Sequence, residues 1–376
     1  MISKIKNSIL LSVKNIYGWN TNRKIVVFSI DDYGNVRIDS KQSRENMDKA
    51  GLKILSRFDQ YDSLENEEDL LSLYEVLTSV KDRNNHHAVF TPFAMAANIN
   101  FEKVIASGYK EFHYELLPDT LNKLKGYERV YDLIKEGISK KIFLPQFHGR
   151  EHLNLKVFKE NLFRNDSDTI EAINNRSYTS IRRTGYPTIS YTAAFEFDKF
   201  EDNYVFDDII KDGLDAFEQV YGYRADHFNS PGGREHPYIH TVLLSSGIKY
   251  LDTPWVKNEH QGEGKYKRNI NYTGKKNSNG QTFMVRNCVF EPAENRGVDW
   301  VAYCMKQIDA AFRWNRPANI SSHRVNFCGN IDPKNRETGL TALKQLLNAI
   351  VKRWPDVEFM AANELACLVQ TSSEKI

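Results

Sequence analysis

The sequence has few cysteines, no dominant charge and no apolar run long enough to span a membrane. Four cysteines occur in 376 residues and none belongs to a C-x-x-C pair, which excludes a disulfide-rich scaffold and favours free buried thiols. The 51 basic and 49 acidic residues leave a net charge of +2 without a long basic run, so the charge pattern gives no support for a nucleic-acid partner. No segment approaches the roughly 20 consecutive apolar residues of a transmembrane helix.

A recognisable secretion signal is also lacking at the N-terminus. The apolar stretch at residues 9–13 is closed by Lys14 and is too short for the core of a signal peptide, and no clear cleavage site follows it. We therefore expect a cytoplasmic protein.

The chain does contain alternating strand and helix patterns. With 376 residues and 41% hydrophobic content it can bury a large core. Helical periodicity is clearest at residues 68–82 and 337–354. The alternation predicts an α/β protein with a parallel sheet covered by helices, and the number of strands favours a barrel, complete or distorted. Strand-like runs occur at 24–30, 86–93, 141–147, 225–230, 248–253, 283–290, 318–323 and 357–362.

Two polar stretches separate the regular patterns. Residues 155–205 are polar and irregular, and residues 256–282 are rich in glycine, asparagine and lysine. We interpret both as long loop insertions and not as domain boundaries, so residues 1–376 are predicted to form a single domain.

Acid–base and metal-ligand residues follow several predicted strands. In barrels the chemistry lies at the C-terminal ends of the strands. Asp31 and Asp32 end the first strand, and "HGREH" places His148 and His152 four residues apart after the third. Two histidines at this spacing can share a metal ion on one side of a helical turn. A rival metal pair is His236 and His240, and the later strands end in "NSPGG" at 229–233, in Asp252 and in His323.

This ordered set resembles the motifs of the polysaccharide deacetylases, carbohydrate esterase family four. "SIDDYG", "HGREH", "FNSPGG", "LDTPW" and "ISSH" resemble the five family motifs in order, over residues 24 to about 365. The resemblance implies a distorted (β/α) barrel of about seven strands. It also implies metal ligands (Asp32, His148, His152), a catalytic base (Asp31), a catalytic acid (His323) oriented by Asp252, and groove residues (Asn229, Pro231, Gly232, Trp255).

The sequence departs from the family pattern at the third and fifth motifs. Asn229 stands where the family has the arginine that steadies the base, Gly232 replaces a bulky residue after the proline, and Ser321 replaces a leucine. The sequence leaves open whether Arg224 or Arg324 takes the place of the missing arginine.

The resemblance predicts a metal-dependent hydrolase that removes an acyl group, with acetyl preferred, from a carbohydrate or glycoconjugate. Two histidines and one carboxylate leave open positions on a divalent cation, which is typical of a catalytic metal; zinc is the first choice, although the same ligands accept other metals. The alternatives are an enzyme similar to diacetylchitooligosaccharide deacetylase, and a non-catalytic glycan-binding protein that keeps the metal site. The sugar, the type of bond and the oligomeric state stay open.

Overall fold

The computed structural model of the chain describes residues 11–180 and 184–373. The beginning of the apolar stretch at residues 9–13 therefore lies outside the described residues. The four cysteines are free, and three of them are buried. None of the described helices combines the length and the apolar composition that a membrane span needs.

A curled and mostly parallel sheet forms the centre of the fold. The order of its strands is β10-β7-β6-β5-β2-β1-β12-β11, with β13 also paired to β1. Two antiparallel pairs of strands, β3-β4 and β8-β9, lie outside it. The strands are β1 Lys24–Tyr33, β2 Phe90–Ala94, β3 Ala97–Ile99, β4 Tyr114–Leu116, β5 Gln146–Phe147, β6 His227–Asn229, β7 Tyr250–Thr253, β8 Val256–His260, β9 Tyr266–Ile270, β10 Thr282–Val285, β11 Cys288–Val289, β12 Ala318–His323 and β13 Val357–Phe359.

Helices cover the sheet because their apolar stripes need a buried partner. In the longest helix, the predicted stripe is buried at Leu340, Leu343, Leu346, Leu347 and Ile350. The helices are α1 Lys41–Lys49, α2 Arg57–Tyr61, α3 Glu67–Thr78, α4 Phe101–Ala106, α5 Leu117–Leu121, α6 Val130–Ser139, α7 Leu155–Phe163, α8 Ser167–Asn174, α9 Phe206–Tyr221, α10 Ile239–Ser245, α11 Trp300–Arg313, α12 Pro333–Arg353 and α13 Ala362–Ser373.

These elements confirm the predicted distorted (β/α) barrel, with two differences in detail. The central sheet has nine strands where about seven were predicted. The predicted strand at 283–290 is two strands, β10 and β11, which form the two edges of the sheet and are separated in sequence only by Arg286 and Asn287. The barrel is therefore incomplete between these edges, and the side chain of Arg286 lines the cavity inside it.

The two predicted insertions contain regular structure. Residues 155–205 include α7, α8 and a 3₁₀ turn at Phe200–Val205, while residues 181–183 lie outside the described part. Residues 256–282 include the hairpin of β8 and β9. Both segments contribute to the wall of the cavity described next.

Candidate active site

Asp31 and Asp32 both reach one cavity because β1 is irregular at its carboxyl end. Successive side chains of a regular strand point to opposite faces. Here the pairing of β1 with β2 shifts between Asp31 and Tyr33, and Asp32 has a left-handed backbone with φ of 80°. Such a backbone costs a non-glycine residue on the order of 1–3 kcal/mol, a cost that functional sites commonly carry. Both carboxylates line the same cavity of about 770 Å³.

His148 and His152 face Asp32 across this cavity. The Nε2 atoms of His152 and His148 lie 3.0 Å and 3.6 Å from Oδ1 of Asp32. Nδ1 of His148 donates a hydrogen bond of 2.7 Å to the carbonyl of Asn229, which leaves its Nε2 unprotonated in the neutral ring and turned toward Asp32. Burial alone would raise the pKa of Asp32, but the two facing imidazoles, His152 first, hold it well below its usual value.

The three side chains fit a divalent metal ion. One ligand atom from each of Asp32, His148 and His152 lies within 4.8 Å of the others, and no other such group occurs within residues 11–180 and 184–373. A hydrogen bond from a ligand histidine to a carbonyl is the usual way in which a metal site fixes the ring. The structure thus brings together the predicted ligands, and two histidines with one carboxylate suit zinc.

The rival histidine pair does not form a site. His240 is buried, with Nε2 at 3.5 Å from Glu235 and Nδ1 at 3.2 Å from the Asn277 amide. His236 instead accepts a hydrogen bond from the backbone of Tyr238. The alternative assignment of the metal to His236 and His240 is therefore wrong.

Arg286 holds the carboxylate of Asp31. Its Nη1 and Nη2 atoms donate hydrogen bonds of 2.7 and 2.9 Å to the two oxygens of Asp31, and Asn229 Nδ2 adds a third of 3.0 Å. Neither proposed substitute is used: Arg224 pairs with Asp215 and Glu218 at the surface. Arg324 pairs beneath the site with Asp62 and Glu65.

Asp252 belongs to a buried network behind Asp31. Its carboxylate accepts hydrogen bonds from Arg286 Nε at 2.5 Å and from His227 Nε2 at 3.0 Å. Burial alone would raise the pKa of Asp252, but the charges of Arg286 and His227 hold it below its usual value. Arg286 consequently bridges two carboxylates and fixes the position of the one that faces the cavity.

Glu291, and not Asp252, orients His323. Oε1 of Glu291 accepts a hydrogen bond of 2.7 Å from Nδ1 of His323, so the predicted role of Asp252 on this histidine is wrong. The physical reason is that Arg286 and His227 occupy the two oxygens of Asp252, whereas Glu291 follows β11, the strand that pairs with β12. His323 Nε2 faces the cavity, 3.8 Å from Oδ2 of Asp31.

The charge of Glu291 acts strongly on His323. Burial alone would lower the pKa of His323, but the Glu291 carboxylate and its hydrogen bond raise it to about 9, with smaller help from Asp32 and Asp31. His323 is therefore a protonated imidazolium at neutral pH. A group of this kind can donate a proton to a leaving atom.

The predicted groove residues divide into two sets. Asn229 and Gly232 line the cavity, but Pro231 and Trp255 do not, and their neighbours Ser230, Pro254 and Val256 take those places. The space beside Gly232 is not empty, because a Cβ atom on it would lie 3.0 Å from the Cβ of Ala193. Ala193 of the 155–205 segment thus forms the cavity wall beside Gly232.

Comparisons with known proteins found solved structures that are similar to this chain at low sequence identity. No family model matches the chain and no curated protein matches it. Similar solved structures include a Mycobacterium smegmatis protein assigned as a polysaccharide deacetylase (13% identity, 95% of this chain and 94% of that one, TM-score 0.49). The PuuE allantoinase has 11% identity over 93% and 91%, with a TM-score of 0.48. A family 4 acetyl xylan esterase of Clostridium thermocellum, in complex with a cobalt ion, has 9% identity over 92% and 91%, with a TM-score of 0.36.

At these identities and TM-scores the roles of individual residues rest on the geometry of this chain.

Proposed function

We propose that the protein is a metal-dependent hydrolase that removes an acyl group, preferentially acetyl, from a carbohydrate or glycoconjugate. The observation that carries the proposal is the convergence in one cavity of a metal-ligand cluster, a carboxylate and an imidazolium. The cluster is Asp32 with His148 and His152, and Asp31 and His323 lie beside it. A glycan-binding protein would have no use for a base and an acid that face each other across 3.8 Å.

Asp32, His148 and His152 would hold a divalent ion, for which zinc is the first candidate. Such an ion, when bound, polarises an acyl oxygen and lowers the pKa of a water molecule. Asp31 would accept the proton of the attacking water, since its carboxylate is held by Arg286 and Asn229 at a fixed position. The backbone N–H near Gly232 would stabilise the developing oxyanion, and a donor of this sort is typically worth ~3 kcal/mol.

His323 would donate its proton to the departing sugar oxygen or nitrogen. Glu291 keeps the ring charged and fixes its rotation through Nδ1, so that Nε2 carries the proton into the cavity. A proton-accepting and a proton-donating group therefore both lie beside the metal-ligand cluster, and hydrolysis of an ester or amide uses one of each.

Acetate release from acetylated sugars tests the proposal. Amide-linked N-acetylglucosamine oligomers and ester-linked acetylated xylooligosaccharides would be compared, with the protein stripped of metal by a chelator and then reloaded with zinc. We expect release to depend on the metal and on Asp31. Binding of these sugars without any acetate release by the reloaded protein would favour the glycan-binding alternative. The expected cytoplasmic location stays a prediction, which fractionation of the native host would test.

A further inference from the structure

One wall of the cavity carries a carboxylate that the proposed chemistry does not use. Glu196 lines the cavity and its side chain is only 2% exposed. Its Oε2 atom accepts a hydrogen bond of 2.6 Å from the backbone of Ser190, but its Oε1 has no hydrogen-bond partner. The nearest cation is Nη1 of Arg234 at 3.6 Å, beyond hydrogen-bonding distance.

The unpartnered oxygen is energetically costly, which makes it informative. Buried polar atoms in folded proteins are nearly always hydrogen-bonded, and exceptions are frequent at functional sites. Burial raises the pKa of Glu196 to about 7, against the opposing effects of the Ser190 N–H and Arg234. Oε1 of this buried carboxyl group can therefore accept a hydrogen bond from a ligand.

Arg234 stands beside Glu196 as a donor. Its guanidinium lies 5.7 Å from the centre of the Tyr266 ring and 3.4 Å from the Tyr266 hydroxyl, and about half of its side chain is exposed to the cavity and solvent. Its backbone carbonyl accepts a hydrogen bond from His260 in β8, which ties it to the hairpin. Acceptor and donor are thus presented side by side.

This wall is held at a fixed place relative to the metal ligands. Asn154, two residues after His152, donates from its backbone to Tyr191 and from its side chain to the carbonyls of Ala193 and Glu196. The segment at residues 190–196 therefore cannot shift independently of the segment that carries the metal ligands.

We propose that Glu196 and Arg234 form a second sugar subsite, which binds the vicinal hydroxyls of the sugar next to the acylated one, so that the substrate is at least a disaccharide. Hydroxyl groups both donate and accept, and they match a carboxylate beside a guanidinium. An anionic or a cationic substituent would be attracted by one of these two groups and repelled by the other, whereas a hydroxyl can donate to Glu196 and accept from Arg234. Ser190 and Thr192 add hydroxyls to the same wall, and a cavity of about 770 Å³ lies in the upper part of the usual range for small-molecule sites. This inference rests on the proposed function for the identity of the reacting sugar.

The test compares Glu196→Gln with the wild type by calorimetric binding of three pairs of sugars. The pairs are N-acetylglucosamine with diacetylchitobiose, xylose with xylobiose, and mannose with mannobiose. Glutamine can keep the Ser190 hydrogen bond through its oxygen, and it then replaces the free acceptor by a donor of the same size. The matched control is Glu263→Gln, in which an exposed glutamate of the turn between β8 and β9, paired with Lys265, is changed.

We expect the wild-type and control proteins to bind at least one disaccharide ten times or more tightly than its monosaccharide. Glu196→Gln should reduce that ratio by about tenfold, since hydrogen bonds to charged groups have effects of this size. Equal affinities within all three pairs, no binding of any pair, or an unchanged ratio in Glu196→Gln would overturn the subsite. Acetate release is measured separately. A preference for disaccharides without acetate release would contradict the proposed hydrolase function but not the second subsite. Acetate release from monosaccharides without a preference for disaccharides would contradict the second subsite but not the hydrolase function.

Discussion

Replacement of Glu291 by glutamine tests most directly whether His323 acts as the acid. The pKa of His323 is about 9, against a usual value of 6.5, and the largest contribution that raises it comes from Glu291. The difference of about 2.5 units corresponds to about 3 kcal/mol in favour of the protonated ring. In Glu291→Gln the burial of the ring persists and the main opposing charge is gone, so we expect the pKa of His323 to fall to about 6.5 or below.

The consequence for activity follows from the protonated fraction. At pH 8 a histidine with a pKa of 9 is about nine-tenths protonated, and one with a pKa of 6.5 is about one-thirtieth protonated. An acid must carry its proton, so wild-type activity is lost as pH rises through about 9, while the variant loses it through about 6.5. At pH 8 the ratio of kcat/KM between wild type and variant should therefore be about thirtyfold, and it should shrink toward pH 6.

The assay is a pH profile of acetate release, together with an NMR titration of His323 that requires no turnover. Glu291 also accepts hydrogen bonds from Arg57 and Asn326, and a single amide oxygen cannot serve three donors, so circular dichroism must first show that the variant is folded. Glu291→Asp, which keeps the charge, should retain a high pKa, and Glu294→Gln should behave as wild type. The reasoning would be refuted if folded Glu291→Gln kept both the wild-type loss of activity at high pH and the wild-type pKa of His323 by NMR. Glu291 would then not set the pKa of His323, and His323 would not be the acid.

Three other changes at the site and one in the cavity wall have defined outcomes. His152→Ala should lose the bound metal by elemental analysis, whereas full retention would contradict the ligand assignment. Asp31→Asn should keep metal and fold but lose about 10²–10⁴-fold in kcat, and a loss of only a few-fold would mean that another group accepts the proton. Arg286→Lys keeps the charge but not the two-pronged contact with Asp31, so kcat should fall more than KM changes; unchanged kcat would show that the contact is dispensable. The pKa of Glu196 is raised from 4.5 to about 7, so the wild type loses stability as pH rises from 4.5 to 7. In urea unfolding, Glu196→Gln should therefore be more stable than wild type by up to about 3 kcal/mol at pH 8, but not at pH 4.

The sequence was sufficient to predict which segments form the strands of the central sheet. Buried parallel strands are nearly continuous apolar runs, and β1 is a clear example, since nine of its ten residues are buried. Polar residues that end such runs are predicted to lie at one end of the barrel, and Asp31, Asp32, His148 and His323 are predicted site residues for this reason. Their burial and contacts agree with that expectation.

Two residues of the site escaped the sequence analysis for one reason. Arg286 and Glu291 lie in or just after residues 283–290, a run whose pattern predicts a single strand. Arg286 therefore counted as part of a strand interior, although it occupies the break between β10 and β11. Glu291 directly follows the predicted strand at residues 283–290, and a position at the end of a strand is the same signal that indicates His323.

The sequence by itself determined which residues follow each strand and hence which chemical groups reach the carboxyl end of the barrel, because strand formation depends on local apolar patterns. Only the tertiary structure decided which of these groups are partners. Asp31 and Arg286 are 255 positions apart and meet because Arg286 lies between the edge strands β10 and β11, and only β12 separates β11 from β1 in the sheet. Glu291 rather than Asp252 meets His323 because β11 is the neighbour of β12. Strand order and sheet curvature are set by the packing of the whole core, and no local stretch of residues carries that information.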